Sequence, residues 1–491
     1  MKFGQGVMLR ILVFALLIVG SVGASADDLV RIDPSQRSLP FEGWGVSLAW
    51  WAKVVGNFPD VYRNDYIEKI FDPEKGLGLT VVRYNIGGGE NPTLHMLPFR
   101  ADMEGFEPAP GHWNWSADAG QRWVLRQAKA HGATLFEAFA NSPPYWMTVS
   151  GSVSGARCSW RVAGSCAWAV IAPDRLNNLA RTHEDDFAQY LATVVAHIER
   201  QDGIVFRTLE PLNEPSSIWW WYGHNQEGCH VDRQAQSRLV LDTSRALASL
   251  GLTTTVSASD ENDIDEALAT FRSFDHDARS SLSQVNTHSY NGSKRKALAD
   301  SVAAAGKRLW QSEYGDGDPT GMTLSETILA DLRQMHPAAW IYWQAVDGPE
   351  WGLLTNTMDG KPSPPQRGRK YWVMANYSRF IRPGAIFLET DDERSLAALN
   401  AKDGRLIVVS TNASSHTRHV RYDLSRLSPA GTSVTAFRTS ATESLAPVSG
   451  LVLSNGILTA SLPEDSVTTF VIAGAGVADA HKSEPDTALH Q

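Results

Sequence analysis

Short apolar runs of strand length recur eight times between residues 41 and 344, and several of them stop on a carboxylate or an amide. Helical patterns such as Gly120 to His131 and His183 to Glu199 fall between them. Strands that alternate with helices call for crossover units and a parallel sheet, an α/β architecture. In such a sheet the loops at the C-terminal ends of the strands assemble the site, so the chemistry is to be sought where the runs end.

Two run-ends carry acids in similar settings. Ile204 to Leu212 alternates apolar residues with others and delivers Asn213, Glu214 and the strand-ending Pro215. Lys307 to Ser312 delivers Glu313, then Tyr314 and a glycine turn at Gly315. The two acids lie 99 residues apart, room for about three strand–helix units of 30 or more residues each. Both would face one cleft. Cleavage of a glycosidic bond takes a pair of carboxyl groups, and Glu214 and Glu313 are the catalytic candidates.

Asn213-Glu214-Pro215 and Ser312-Glu313-Tyr314-Gly315 resemble the strand-4 and strand-7 signatures of retaining glycoside hydrolases. Three further blocks narrow the resemblance: Phe41-Glu42-Gly43-Trp44-Gly45-Val46-Ser47-Leu48-Ala49-Trp50-Trp51-Ala52, Arg83-Tyr84-Asn85-Ile86-Gly87-Gly88-Gly89, and Asn141-Ser142-Pro143-Pro144-Tyr145-Trp146-Met147. Together they look like glycoside hydrolase family 30, and most like its endo-β-1,6-galactanase branch, over residues 30 to 474. The resemblance implies a (β/α)8 TIM barrel with an associated C-terminal antiparallel β-sandwich domain. It also implies Glu214 as acid/base and Glu313 as nucleophile, with no metal or organic cofactor.

By the same resemblance Arg83 holds the nucleophile ionised, Tyr290 hydrogen-bonds it with His288 alongside, and Trp343 floors the sugar subsite. Asn213 would hold the sugar 2-hydroxyl. Trp50, Asn141 and Trp146 complete the candidate substrate-binding set; each tryptophan has packing in the core as its alternative, as has His288. The partner implied is a polysaccharide, β-1,6-galactan of arabinogalactan, with β-1,6-glucan, glucuronoxylan and glucosylceramide as substrates of related branches. A carbohydrate-binding protein without catalysis is the reading from a different class.

A net charge of −10 repels phosphate backbones and argues against a nucleic-acid partner. Lys2 and Arg10, the apolar run Ile11 to Val19 and Ala24-Ser25-Ala26 read as a secretory signal over residues 1–26, giving a secreted or periplasmic product, expected as a monomer without stable membrane insertion. Three cysteines, Cys158, Cys166 and Cys229, leave open one disulfide between loops or three free thiols. Residues 27–40 are expected to add a strand to the C-terminal sheet. The barrel is then 41–382, the sandwich 383–474 and a disordered tail 475–491. The last of 17 tryptophans is Trp372, and the short alternating runs beyond it suit an antiparallel sandwich. The acidic cluster Asp260-Glu261-Asn262-Asp263 reads as a loop leading into a helix, where acids are favoured, with metal ligation as the alternative.

Overall fold

The computed structural model describes residues 28–94, 96, 99–157, 176–427 and 433–473. The signal reading over 1–26, the tail over 475–491, Cys158 and Cys166 lie outside them. Cys229 is buried with a free thiol.

Eight parallel strands close into a barrel: Gly43–Ser47, Val81–Asn85, Leu135–Phe139, Thr208–Glu210, Thr255–Asp263, Leu282–Asn291, Arg308–Tyr314 and Ala339–Tyr342. The second strand shows how the runs work. Val82 and Tyr84 face the helices and join the main apolar core, whereas Val81 packs inside the barrel with Trp310, Ala339 and Ile341. Arg83 shares the inward face of Val81, as alternation along a strand requires. Closure needs a narrow first strand. A Cβ on Gly45 would stand 2.7 Å from Val81 Cβ and 2.9 Å from Ile341 Cγ1, its neighbours on either side.

Three expectations are corrected. Residues 41–51 read as a single first strand, but the strand stops at Ser47 and Trp51–Val55 is a helix that buries Trp51, Ala52, Val54 and Val55; the unbroken apolar run offers no boundary between the two. The fifth strand runs on to Asp263, so Asp260 and Glu261 are buried strand residues rather than loop. Arg367 to Lys370 read as a polar loop ahead of a last helix that starts at Tyr371, but that helix begins at Arg369, and Lys370 is 1 % exposed.

A ten-stranded sheet follows, in which strand Asp28–Arg37 lies between Ile386–Thr390, its antiparallel neighbour, and Arg418–Asp423, its parallel one. The sheet folds over on itself: Tyr422 from one half meets Phe470 from the other at 5.2 Å between ring centroids, and Tyr422 hydroxyl and Ser410 Oγ lie 2.6 Å apart. Its other face docks on the last two barrel helices, Met322–Gln334 and Arg369–Ser378, where Ser325 Oγ lies 2.6 Å from both Tyr377 hydroxyl and Thr411 Oγ1. Phe387, Ile407 and Val409 of the sheet belong to the barrel's own apolar cluster, so the two units share one core. Among the described residues no helix is long and apolar enough to cross a membrane.

Candidate active site

Glu214 and Glu313 meet at the mouth of the barrel. One oxygen of each carboxyl group and a ring nitrogen of His288 lie within 4.8 Å of one another. The backbone that carries Glu214 is fixed from both sides: its N–H donates to Asp260 O at 2.9 Å, and its carbonyl accepts from Trp220 Nε1 at 3.0 Å. Glu214 and Asp260 both have left-handed backbones, φ 48° and 55°. For residues with a Cβ that conformation costs about 1 to 3 kcal/mol each and persists only where the surroundings impose it.

Arg83 is the electrostatic centre. It has no exposed surface, and its guanidinium donates to Glu137 Oε1 at 3.0 Å, Ser312 O at 3.0 Å, Glu313 Oε2 at 3.4 Å and Asp260 Oδ2. Burial alone would discharge it, but Asp260, Glu137 and Glu313 outweigh that and hold its pKa above the ordinary value. Burial likewise pushes Asp260 up, yet Arg83 and then His288 bring it down to about 2, so it is ionised throughout the working range. Ser312 Oγ donates to the same carboxylate at 2.5 Å.

His288 lies behind the pair, fully buried, with Nδ1 3.2 Å from Glu214 Oε1 and 3.5 Å from Glu313 Oε1, and Nε2 3.3 Å from Asp260 Oδ1. Burial opposes its charge, but Glu313 and Asp260 raise the pKa to about 10, and the ring is an imidazolium. Burial raises Glu313 to about 7, opposed by His288 and Arg83 and reinforced by Glu214. Tyr290 hydroxyl, kept protonated by burial and by the charge of Glu313, donates to Glu313 Oε1 at 3.0 Å. Asn262 Nδ2 donates to Glu214 Oε1 at 2.6 Å.

Removing the imidazolium leaves Glu313 with less compensation for its burial. His288→Gln is therefore expected to move the acidic limb of the kcat/KM profile upward by about one pH unit or more. An unshifted limb, with the variant folded, would show that His288 carries no charge there.

Beside the carboxyl groups, Trp50 and Trp343 pack edge to face at 5.1 Å between ring centroids, on Phe139 and Met103. Asn213 Oδ1, Asn141 Nδ2 and Trp50 Nε1 are buried polar atoms with no hydrogen-bond partner among the described residues, so they are groups a polyhydroxylated ligand could satisfy. Trp146 is held elsewhere, by the Glu107 carbonyl at 2.8 Å and against the edge of His183. Of the Trp219 to Tyr222 run, Trp220 is buried under Glu214, and the other three are part-exposed.

Asp260 and Asn262 are the residues that sequence reasoning passed over. The signal was present, since Asp260 is a third acid at the end of a barrel strand, and the rule that selected Glu214 and Glu313 selects it too. Taking the acidic run as a helix start hid it. That reading does describe Asp263, whose side chain caps helix Ile264–Ser273 by accepting from Asp265 N and Glu266 N.

The model of O-glycosyl hydrolase family 30 matches residues 27–291. An endo-β-1,6-galactanase from Hypocrea rufa is 34 % identical over 489 residues, covering 93 % of this chain and 97 % of the relative. Among solved structures, a conserved exported protein from Bacteroides fragilis superposes with a TM-score of 0.74 at 21 % identity, over 90 % of this chain and 100 % of that one. The catalytic domain of a xylanase C from Talaromyces cellulolyticus gives 0.68 at 22 % identity, over 91 % and 100 %. These two bear on the fold. With a matching model over more than half its length and a curated relative at this identity, the chain belongs to O-glycosyl hydrolase family 30 and is a glycoside hydrolase acting on polysaccharide.

Proposed function

We propose that the protein is an exported, retaining endo-β-1,6-galactanase. The observation that carries the mechanism is the closeness of Glu214 and Glu313, whose nearest oxygens lie within 4.8 Å of each other. Retention uses carboxyl groups about 5 to 5.5 Å apart, whereas inversion needs about 6.5 to 9.5 Å to admit a water. In the first step a Glu313 oxygen bonds to the anomeric carbon as the carbon–oxygen bond to the leaving group breaks, and Glu214 gives its proton to that oxygen. In the second, Glu214 takes a proton from water, the water oxygen bonds to the anomeric carbon, and Glu313 departs as carboxylate. The environment supports these roles: Arg83 and Tyr290 donate to Glu313, whereas His288 faces both carboxyl groups and does not separate them. Asn213 is poised to bind the 2-hydroxyl of the sugar in the transition state. The galactan linkage is supported by the activity named for the Hypocrea rufa relative.

The test is product analysis on β-1,6-galactan, β-1,6-glucan, glucuronoxylan and β-1,3-galactan, with the anomeric configuration of the first product read by proton NMR. Release of β-1,6-galacto-oligosaccharides in the β configuration is expected. An α first product would overturn retention, cleavage of another polymer would overturn the substrate, and binding without cleavage would favour the non-catalytic reading.

A further inference from the structure

Trp351, on the loop after the eighth barrel strand, is 41 % exposed, whereas Trp343 is 9 % and Trp50 6 % exposed. Its indole lies across the segment that follows Glu313. A Cβ on Gly315 would stand 3.3 Å from Trp351 Cζ3 and 3.3 Å from Trp343 Cβ, and one on Gly317 would stand 3.7 Å from Trp351 Nε1. The benzo edge is therefore over one glycine and the pyrrole edge over the other. The ring lies along the loop instead of standing on it. The missing side chain at Gly315 lets it settle that close, whereas a Cβ on Gly317 would be in ordinary contact with it.

The platform is built and held rigid. Lys370, almost fully buried, donates to Asp316 O at 2.6 Å, Asp316 Oδ1 at 2.8 Å and Glu350 O at 2.7 Å, so one ammonium clamps the loop beneath the ring to the residue that precedes it. Tyr342 hydroxyl fixes the Trp351 carbonyl at 2.6 Å. Neither contact uses the indole. An apolar ring that the surrounding groups position but do not cover is suited to stacking on the face of a sugar.

We propose that Trp351 is the platform of a glycan subsite on the nucleophile side of the cleavage point. Resting on the roles proposed above, Glu214 faces the leaving group, and the retained part of the chain extends past Glu313 towards Trp343 and Trp351. Gly315 is two residues from Glu313, at most about 7 Å of extended chain, so the ring stands one or two sugar units from the bond cleaved. The ligand is a β-linked hexopyranose whose axial hydrogens give it an apolar face.

The test is steady-state kinetics of wild type, Trp351→Ala and Trp351→Phe on β-1,6-galacto-oligosaccharides of increasing length. Trp351→Ala is expected to raise KM about tenfold on long chains, the worth of one stacked aromatic. On the shortest chain cleaved it should match wild type, and Trp351→Phe should recover most of the loss. Unchanged KM on long chains, or an equal loss at every length, overturns the subsite. If wild type instead cleaves β-1,6-glucan or glucuronoxylan, the galactan reading fails and the same length comparison on that glycan decides the subsite. Cleavage of none overturns both.

Discussion

Glu313→Gln is expected to lower turnover by about 10⁴-fold or more, the scale seen when a covalent nucleophile is removed, while the protein stays folded. The amide has the shape of the carboxyl group and the charge of its protonated form. Because burial already lifts Glu313 to about 7, the fold has little invested in the anion. Glu214→Gln removes only proton transfer and is expected to cost about 10² to 10⁴-fold, less for substrates whose leaving group needs no proton. Azide separates the two roles. With Glu214→Ala it should enter on the face of the departed group and give a β-glycosyl azide; with Glu313→Ala and an activated substrate it should take the place of the nucleophile and give the α product. The reverse pattern would exchange the assignments, and near-wild-type activity in Glu313→Gln would remove it from the mechanism.

Arg83→Met is expected to be the most destabilising single change at the site. Glu137, Asp260 and Glu313 all face this guanidinium, with none of the three carboxylates exposed by more than a few per cent. Taking away one partner of a buried ion pair costs about 3 to 5 kcal/mol because the charge left behind is uncompensated; here Glu137 loses its arginine, and Asp260 and Glu313 keep only His288 as an ion-pair partner among the described residues. The loss should appear as a lower urea midpoint with an unchanged slope. Arg83→Lys should recover part of it only, since a single ammonium cannot reach in three directions as the planar fork does. A loss below about 1 kcal/mol for Arg83→Met would mean that the carboxylates are neutralised by protons rather than by the arginine.

Much of the site could be read from the chain because its acids sit at strand ends beside residues that break strands: Pro215 after Glu214, and Gly315 two places beyond Glu313. Arg83 was legible only through the family resemblance, since a cation at the end of the run from Leu79 to Asn85 could as well be paired structurally in the core. What local pattern could not give was the partner of each charge. Asp260, His288 and Arg83 are separated by 28 to 205 residues and meet only because barrel closure brings strands two, five and six around one axis. The charged interior also hid its burial. Polar residues such as Asp260, Glu261 and Lys370 score as surface by composition, yet each is buried with hydrogen-bond or ion-pair partners. The sandwich strands are readable from their spacing, except Ile386–Thr390, whose run follows the helix end too closely to stand apart, and the two-residue Ala446–Pro447, too short to show a pattern.

The strand Asp28–Arg37 has its partners at the far end of the chain: Arg31 N donates to Asp391 Oδ1, 360 residues later. At about 5 to 20 residues per second of synthesis, that partner emerges roughly 20 to 70 s after the strand itself. Through that interval the nascent chain carries an edge of unsatisfied amides and the apolar residues Val30 and Ile32 with nothing to cover them. The barrel can form early, but the molecule becomes one unit only when the last sheet arrives, which makes the terminal strands the places where a truncation or a stalled ribosome would expose an adhesive edge.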